Sequence, residues 1–239
     1  SRLYSLYTFR NFLKESMEGI ISKESFDHLL ATMVDSIFAH QQVNGGFSLW
    51  PYNNSANVKA SLHTAFLLTL INRDKSLPIP EKPYKRMLAF LQDVASKGDE
   101  ESESSDQFKA YATLILALDG DPSACERISN LLKRDYPRNL KLLLLLTADI
   151  CGIPREELKK YLQLLQWETS MENRTCFWEY GSSKVRESAL KLIATVIADE
   201  SLESIQEAQK PLIDYISNYM NYTTYDLSII LMALDMSFK

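Results

Sequence analysis

The segment Ala60-Ser-Leu-His-Thr-Ala-Phe-Leu-Leu-Thr-Leu70 is apolar around nearly its whole circumference when it is wound as an α-helix. A helix without a polar face must be enclosed by other helices. Four more segments share this character, and they are 111–118, 140–148, 189–198 and 227–234. The sequence therefore predicts an inner layer of buried helices, whose small residues let neighbouring helices approach closely.

A second kind of helix alternates with the first. These segments carry one apolar stripe and a charged back, and they are 2–14, 22–42, 82–94, 122–133, 155–166 and 202–219. In one of them Ser22 is placed to cap the helix and Glu24 to favour its first turn. The alternation recurs at roughly the spacing of helical repeat arrays.

The two kinds of helix predict an all-α fold in two layers. An open solenoid would leave its inner face wet and more polar than these segments are. We therefore predict a closed α/α toroid of about five to six pairs of inner and outer helices. It forms a single domain over residues 1–239, as part of a larger multidomain chain. The acidic, serine-rich stretch 97–106 is predicted to be an exposed loop between helices.

Composition excludes several classes of protein. With 26 Lys and Arg against 31 Asp and Glu, the net charge is −5. Nucleic-acid binding depends on neutralising phosphates, so no nucleic-acid partner is expected. Only 7 Gly and 8 Pro argue against a sandwich or barrel of many short strands. No stretch approaches about 18 uncharged apolar residues, so no transmembrane segment is predicted, and the start of the chain lacks a signal-peptide pattern.

The three cysteines show no metal-binding or redox spacing. Cys125, Cys151 and Cys176 are far apart, and neither Cys-x-x-Cys nor a Cys/His cluster occurs. We expect them to be buried or idle thiols, since free cysteine is among the most buried residue types. Neither a metal site nor a cofactor is predicted.

The strongest local features are two aromatic loops, residues 41–52 and 176–183, and each lies just before an inner helix. In the first, Asn44-Gly45-Gly46 is expected to end an outer helix in the left-handed conformation. If inner and outer helices alternate, all inner helices begin at the same end of the toroid. Because each aromatic loop precedes an inner helix, we predict that both loops lie at that end and form a binding face. Its residues are Gly45, Gly46, Phe47, Trp50, Tyr52, Trp178, Tyr180 and Gly181. A purely structural role, with the aromatics plugging the end of the barrel, is the alternative.

Several motifs resemble those of one family. Gln41-x-x-x-Gly-Gly-Phe-x-x-Trp50 before a small-residue helix resembles the toroidal thioester domain of bacterial alpha-2-macroglobulins. The start of the chain, Ser1-Arg-Leu3, is similar to the residues just after that family's Cys-x-Glu-Gln thioester motif. Phe177-Trp-Glu-Tyr-Gly181 and Tyr222-Thr-Thr-Tyr-Asp-Leu227 resemble two of its later motifs. The resemblance covers nearly the whole chain, through short and degenerate motifs.

The resemblance implies a non-enzymatic domain of an endopeptidase inhibitor that traps proteases. In the family, a protease cleaves a bait region, the chain closes around the protease, and a thioester acylates it. Expected partners are the other domains of the parent chain and target proteases. The implied location is the periplasm, the cell surface or the extracellular space.

The chain departs from the family at the thioester. None of its cysteines stands in Cys-x-Glu-Gln, so the chain by itself cannot form the thioester. Either the motif lies before Ser1, or the protein belongs to a branch without a thioester. The loop that follows Phe47 also lacks the helper histidine of related complement proteins. His63 lies further on, within a helix, and is interpreted as a packing residue.

The alternative hypothesis is an enzyme with the same toroidal fold. A prenyltransferase needs Asp, Cys and His around one zinc, and only His63 is placed to contribute. A terpene cyclase needs an acid motif, for which Asp119-Gly-Asp121 is a weak match that is better explained by a turn. A glycosidase needs two carboxylates across the barrel mouth, and Glu179 and Asp226 are the candidates. An open helical-repeat scaffold is a third class.

Overall fold

Helices account for most of the residues that the structure describes. The structure is a computed structural model. It describes residues 3, 6–7, 22–50, 55–75, 77–96, 103–134, 136, 138–163, 184–198, 201–218, 230, 233–234 and 237. Within these residues there are nine named helices and no strand, and the one extended pairing is an isolated bridge between Gln41 and Phe47. The predicted all-α class is confirmed.

The chain divides into two compact units, Ser1–Asp121 and Pro122–Lys239. The named helices of the first unit are α1 (Lys23–Phe38), α2 (Val58–Asp74), α3 (Glu81–Ser96) and α4 (Glu103–Asp119). Those of the second are α5 (Pro122–Leu131), α6 (Arg138–Ile150), α7 (Arg155–Gln163), α8 (Lys184–Ile197) and α9 (Leu202–Asn218). The single toroidal domain predicted over both units stays a prediction.

In the first unit, the two apolar helices pack against each other. Helix α2 contacts α4, and the amphipathic α3 packs on α4 and, less extensively, on α2. Helix α3 buries one stripe, made of Tyr84, Met87, Phe90, Leu91 and Val94. By contrast, the buried residues of α2 are spread around its axis, as expected for a helix enclosed on several sides.

The second unit repeats this arrangement. The apolar helices α6 and α8 contact each other, α9 packs on α8, and α5 packs on α6. The nine-residue helix α7 contacts both α6 and α8. In each unit, therefore, two segments predicted as inner helices are neighbours, and segments predicted as outer helices pack on them.

Side-chain caps and a glycine turn mark several helix ends. The Ser22 side chain accepts a hydrogen bond from the Ser25 N–H, as predicted for the start of α1. The Asn57 side chain does the same for Ala60 at the start of α2. Asp119-Gly-Asp121 forms the turn predicted between two helices, where Gly120 adopts φ +86°. Its N–H donates to the Ala117 carbonyl at 3.0 Å.

Part of the stretch predicted as an exposed acidic loop is helical. Helix α4 begins at Glu103, so that residues 103–106 are helical rather than part of an exposed loop. Asp106 lies in the first turn, where acidic residues interact favourably with the positive end of the helix dipole. A stretch that is too polar for a helix interior is therefore well suited to a helix start.

The expectation of three idle thiols is wrong for two of the cysteines. Cys125, in the first turn of α5, forms a disulfide with Cys151, which follows the last residue of α6. Their Cα atoms are 5.4 Å apart, although 26 positions separate them in sequence. Because α5 and α6 are packed neighbours joined by a short connection, the start of the first meets the end of the second. Sequence spacing alone does not show this proximity. Cys176 lies outside the described residues.

No helix among the described residues combines the length and the hydrophobicity needed to cross a membrane.

Candidate binding loop

The first aromatic loop is a small, hydrogen-bonded hairpin between α1 and α2, and we call residues 41–50 the GG loop. The Gln42 N–H donates to the Gly46 carbonyl at 2.8 Å, and the Gly45 N–H donates to the Gln42 carbonyl at 2.9 Å. Closer to the base, the Ser48 N–H donates to the His40 carbonyl at 3.2 Å. The backbone of the loop is therefore fixed by its own hydrogen bonds.

The two glycines let this hairpin lie directly against helix α3. Gly45 has φ +89°, and a Cβ atom there would lie 2.0 Å from the backbone oxygen of Arg86. At Gly46 a Cβ atom would lie 2.8 Å from the ring of Phe90. The prediction that Asn44-Gly45-Gly46 ends the outer helix is wrong. Helix α1 already ends at Phe38, and its cap residue Ala39 has a right-handed α conformation. Close backbone approach and a positive φ are what require glycine here.

Gln41 clamps the loop onto the same helix. Its Nε2 atom donates to the Gly45 carbonyl at 3.0 Å and to the Pro83 carbonyl at 2.8 Å. Its Oε1 atom accepts a hydrogen bond of 3.1 Å from Arg86 Nη2. All the hydrogen-bonding groups of this amide are thereby used. Sequence reasoning included Gln41 only as a motif position, because nothing in a single sequence shows which carbonyls its side chain reaches.

Phe47 anchors the other side of the loop in the core. It is only 2% exposed, and its ring centroid lies 6.0 Å from that of Phe38. Its N–H donates to Ser61 Oγ at 2.7 Å, and its carbonyl accepts from the Asn57 N–H at 2.9 Å. Ser61 in turn donates to the Asn57 carbonyl at 2.7 Å. The loop is thus bonded to the first turns of α2, and Ser61 is a positioning residue that sequence reasoning missed.

Three large apolar side chains of the loop remain exposed. Val43 is 97% exposed, Leu49 is 58% exposed and Trp50 is 71% exposed. Between Val43 and Leu49 lies Ser48, which is buried and whose hydroxyl donates to the Trp50 carbonyl at 2.9 Å. We call Val43, Leu49 and Trp50 the apolar rim. A rim of this kind on a well-anchored backbone can contact another apolar surface with little loss of conformational entropy.

The predicted binding residues therefore have different positions. Gly45, Gly46 and Phe47 are buried in the frame of the loop, whereas Trp50 is exposed. Tyr52, Trp178, Tyr180 and Gly181 lie outside the described residues, as do the carboxylate candidates Glu179 and Asp226. Whether all eight residues share one face of a toroid stays a prediction.

The residues of the GG loop offer contact surface rather than acid–base chemistry. Between Gln41 and Trp50 there is no carboxylate, amine, imidazole or thiol. His63, in α2, makes an edge-on ring contact with Tyr111 at 6.1 Å, which agrees with its interpretation as a packing residue. Within the described part of the chain, no three His, Cys, Asp or Glu residues are grouped so that they could hold a metal ion.

A polar network lies on the other side of α3, where it joins three helices of the first unit. The Tyr84 hydroxyl donates to Asp119 Oδ1 at 2.5 Å and lies 3.3 Å from Thr69 Oγ1. The pKa of Tyr84 is raised, mainly because its hydroxyl is buried and, to a smaller extent, because it is bonded to the Asp119 carboxylate. Burial is also the main cause that raises the pKa of Asp119, against the lowering effect of the Tyr84 hydrogen bond. The network bonds α2, α3 and α4 together.

The comparisons with known proteins concern the fold. No family model matches this chain, and no curated protein is similar to it in sequence. Solved structures do match. The native conformation of Escherichia coli alpha-2-macroglobulin, from cryo-electron microscopy, has a TM-score of 0.69 and 18% identity over 90% of this chain. The crystal structure of the same protein from domain MG7 to the C-terminus gives a TM-score of 0.67 and 16% identity over 90% of this chain.

A Salmonella alpha-2-macroglobulin reacted with methylamine is similar as well, with a TM-score of 0.64 and 18% identity over 90% of this chain. The chain spans only 14% of each of the two longer structures and 35% of the MG7-to-C-terminus fragment. The fold of these neighbours is consistent with the predicted all-α toroid. The resemblance read from the motifs is thus confirmed at the level of the fold: this chain is folded like one segment of the bacterial alpha-2-macroglobulins.

Proposed function

We propose that this chain is a non-enzymatic domain of an alpha-2-macroglobulin-like endopeptidase inhibitor that traps proteases. The observation that carries the proposal is the structural similarity, which extends over 90% of the chain at TM-scores of 0.64 to 0.69. The sequence of the GG loop supports it as well, because Gln41-x-x-x-Gly-Gly-Phe-x-x-Trp50 resembles a motif of that family.

In this proposal the chain itself supplies no acyl group to the trapped protease. The Cys125 and Cys151 sulfurs are bonded to each other, so neither is available for a thioester with a glutamine side chain. Cys176 precedes Phe-Trp rather than the x-Glu-Gln of the thioester motif. Covalent capture would therefore require a Cys-x-Glu-Gln motif elsewhere in the parent protein, and without one the trapping is non-covalent.

We assign the apolar rim of Val43, Leu49 and Trp50 to contact with another domain of the same parent chain. Its side chains are exposed, yet the loop beneath them is anchored to α2 and α3 through Ser61 and Gln41. The similar macroglobulins are several times longer than this chain, so most of such a protein lies outside it. Target proteases are the second expected partner, and the periplasm, the cell surface or the extracellular space the expected location.

Protection that depends on substrate size tests the proposed trapping. The parent protein is incubated with a broad-specificity protease, and cleavage of a large protein substrate and of a small peptide substrate is measured. An enclosed protease is expected to lose activity on the large substrate and to keep activity on the small one. A protease treated with buffer alone is the control. Equal cleavage of the large substrate with and without the parent protein would contradict the proposal.

Methylamine tests the chemistry of this chain separately. A thioester reacts with the amine to form an amide and release a thiol, which changes the mass of the chain. We expect the isolated chain to gain no methylamine, because it lacks the thioester motif. The parent protein treated in the same way is the comparison, and its reaction reports a thioester outside this chain. Incorporation into the isolated chain would show that our assignment of its cysteines is wrong.

A further inference from the structure

We propose that the Cys125–Cys151 disulfide is a covalent latch that holds helix α5 on α6, and that it forms in an oxidising compartment. The inference goes beyond the proposed function and does not depend on it. It rests on the position of the two cysteines in the second unit and on the weak packing of the helix that one of them carries. A chain without any role in protease trapping would carry the same latch.

The disulfide closes the open end of a helical hairpin. Helices α5 and α6 are joined by residues 132–137 at one end, and Cys125 and Cys151 meet at the other. The Cα–Cα separation of 5.4 Å lies within the range that a disulfide spans without moving the backbone. The hairpin is thus connected at both ends.

Backbone hydrogen bonds fix the position of Cys151. Its N–H donates to the Thr147 carbonyl at 3.0 Å, which extends the bonding pattern of α6 by one residue. Gly152 follows with φ +76°, and the Ile153 N–H donates back to the Ala148 carbonyl at 3.0 Å. This left-handed termination holds the Cys151 backbone at the end of α6. The backbone of Cys151, the partner of Cys125 in the disulfide, is therefore fixed by the end of α6.

Helix α5 is poorly held by other means. It has only ten residues, and isolated helices of fewer than about 12 residues are marginal in water. Its fully buried residues are Ala124 and Ile128, and only the second of these is large, whereas Arg127 and Leu131 are half-buried. The 16-residue helix α3, in the first unit, has five buried residues instead. A cross-link at its first turn thus stabilises α5 where packing is sparse.

The bond also implies where the protein folds. Disulfides persist in oxidising compartments and are rare in the cytosol, where thiols are kept reduced. Formation requires a disulfide donor, either a small-molecule or a protein disulfide. A thiolate of one cysteine attacks the donor and releases one donor thiol, and the second thiolate then resolves the mixed disulfide. In total the two cysteines lose two protons and two electrons, which leave with the two donor thiols.

Thiol mapping is the first test. The full chain is exported to the periplasm of a bacterial host, quenched with an alkylating reagent without reductant, digested and analysed by mass spectrometry. We expect alkylation at Cys176 and a Cys125–Cys151 cross-linked peptide that disappears after reduction. Alkylation at all three cysteines, or a bond that includes Cys176, would overturn the proposal. This test does not require any variant to fold.

Hydrogen exchange tests the latch itself. Mild reduction of the native chain, and separately the double variant Cys125→Ser/Cys151→Ser, should raise amide exchange in residues 122–131 by at least about tenfold. Exchange in α3 should stay unchanged. The matched control is Cys176→Ser, which removes a thiol but leaves the disulfide intact and should leave exchange in α5 unchanged. Unchanged exchange in α5 after confirmed reduction would show that the bond is not a latch.

Discussion

Replacing Gly45 by alanine tests whether the GG loop is fixed by its contact with α3. Residues other than glycine pay roughly 1–2 kcal/mol for a left-handed backbone, and φ at Gly45 is +89°. The added Cβ atom would lie 2.0 Å from the Arg86 carbonyl oxygen. To restore ordinary van der Waals separation of about 3.5 Å, the loop must move away from the helix by about 1.5 Å. Such overpacking typically costs about 1–3 kcal/mol.

The displacement also breaks the bonds that Gln41 makes across the contact. Its Nε2 atom bonds both Gly45 and Pro83, and a movement of this size stretches at least one of those bonds beyond hydrogen-bond distance. The net contribution of such a bond is about 1 kcal/mol. The sum for Gly45→Ala is therefore about 3–6 kcal/mol, a large part of the stability of a typical domain.

Gly120→Ala is the matched control. Gly120 has nearly the same backbone conformation, with φ +86°, but nothing lies within 4 Å of its added Cβ atom. It should therefore lose only the backbone contribution of about 1–2 kcal/mol. Both variants are compared with the natural chain by urea-induced unfolding, followed by far-ultraviolet circular dichroism. Equal free energies of unfolding for the two variants would refute the reasoning, because the contact with Arg86 would then contribute nothing.

Four further substitutions test the network and the loop, each by urea-induced unfolding. Tyr84→Phe should cost about 1–3 kcal/mol, since it removes the hydroxyl bonded to the half-buried Asp119 carboxylate. The pKa of Asp119 is higher in the folded chain than in the unfolded chain. The protonated carboxyl therefore contributes its full stabilisation below the unfolded pKa, and this contribution is lost as the pH rises through the folded pKa. Asp119→Asn cannot ionise, and its free energy of unfolding should therefore rise relative to the natural chain as pH rises over that interval. Ser61→Ala should cost about 1–3 kcal/mol because the buried Phe47 N–H loses its acceptor. Trp50→Ala should change the free energy by less than about 0.5 kcal/mol, as is usual for exposed residues.

Each of these expectations has an outcome that contradicts it. Full stability of Tyr84→Phe would mean that the Tyr84 hydroxyl makes no net contribution through its bond to Asp119. A parallel pH dependence of Asp119→Asn and the natural chain would show that this carboxyl titrates at the same pKa in the folded and unfolded states. Full stability of Ser61→Ala would mean that the Phe47 N–H finds another acceptor. A strongly destabilised Trp50→Ala would place that indole in the core rather than in the apolar rim.

The helices were predictable because their pattern is local. The enclosed character of α2 follows from apolar residues around nearly its whole circumference between Ala60 and Leu70, and the amphipathic character of α3 follows from its stripe of apolar residues. The start of α1 was predicted for the same reason, since Ser22 bonds an N–H only three residues away. The predicted end of the acidic loop was wrong because α4 begins at Glu103, and an acidic stretch is compatible with a helix start as well as with a loop.

The candidate site was predicted only in part. The motif around Gly45 and Gly46 drew attention to the right loop, but the glycines do not end α1 as predicted. Their role depends on the Arg86 carbonyl and the Phe90 ring, about 40 positions further along the chain. Gln41 and Ser61 were missed as positioning residues for the same reason, because their partners are chosen by packing rather than by spacing.

The sequence by itself determined the all-α class, the alternation of enclosed and covering helices, and the resemblance to the bacterial alpha-2-macroglobulins. These properties depend on residues one or two helical turns apart, which a single sequence displays. Only the tertiary structure decided that Cys125 bonds Cys151, that Tyr84 bonds Asp119, and that Phe47 is buried while Trp50 is exposed. Each of these outcomes depends on which distant segments pack together, and the burial of apolar surface that selects those neighbours acts on the whole chain at once.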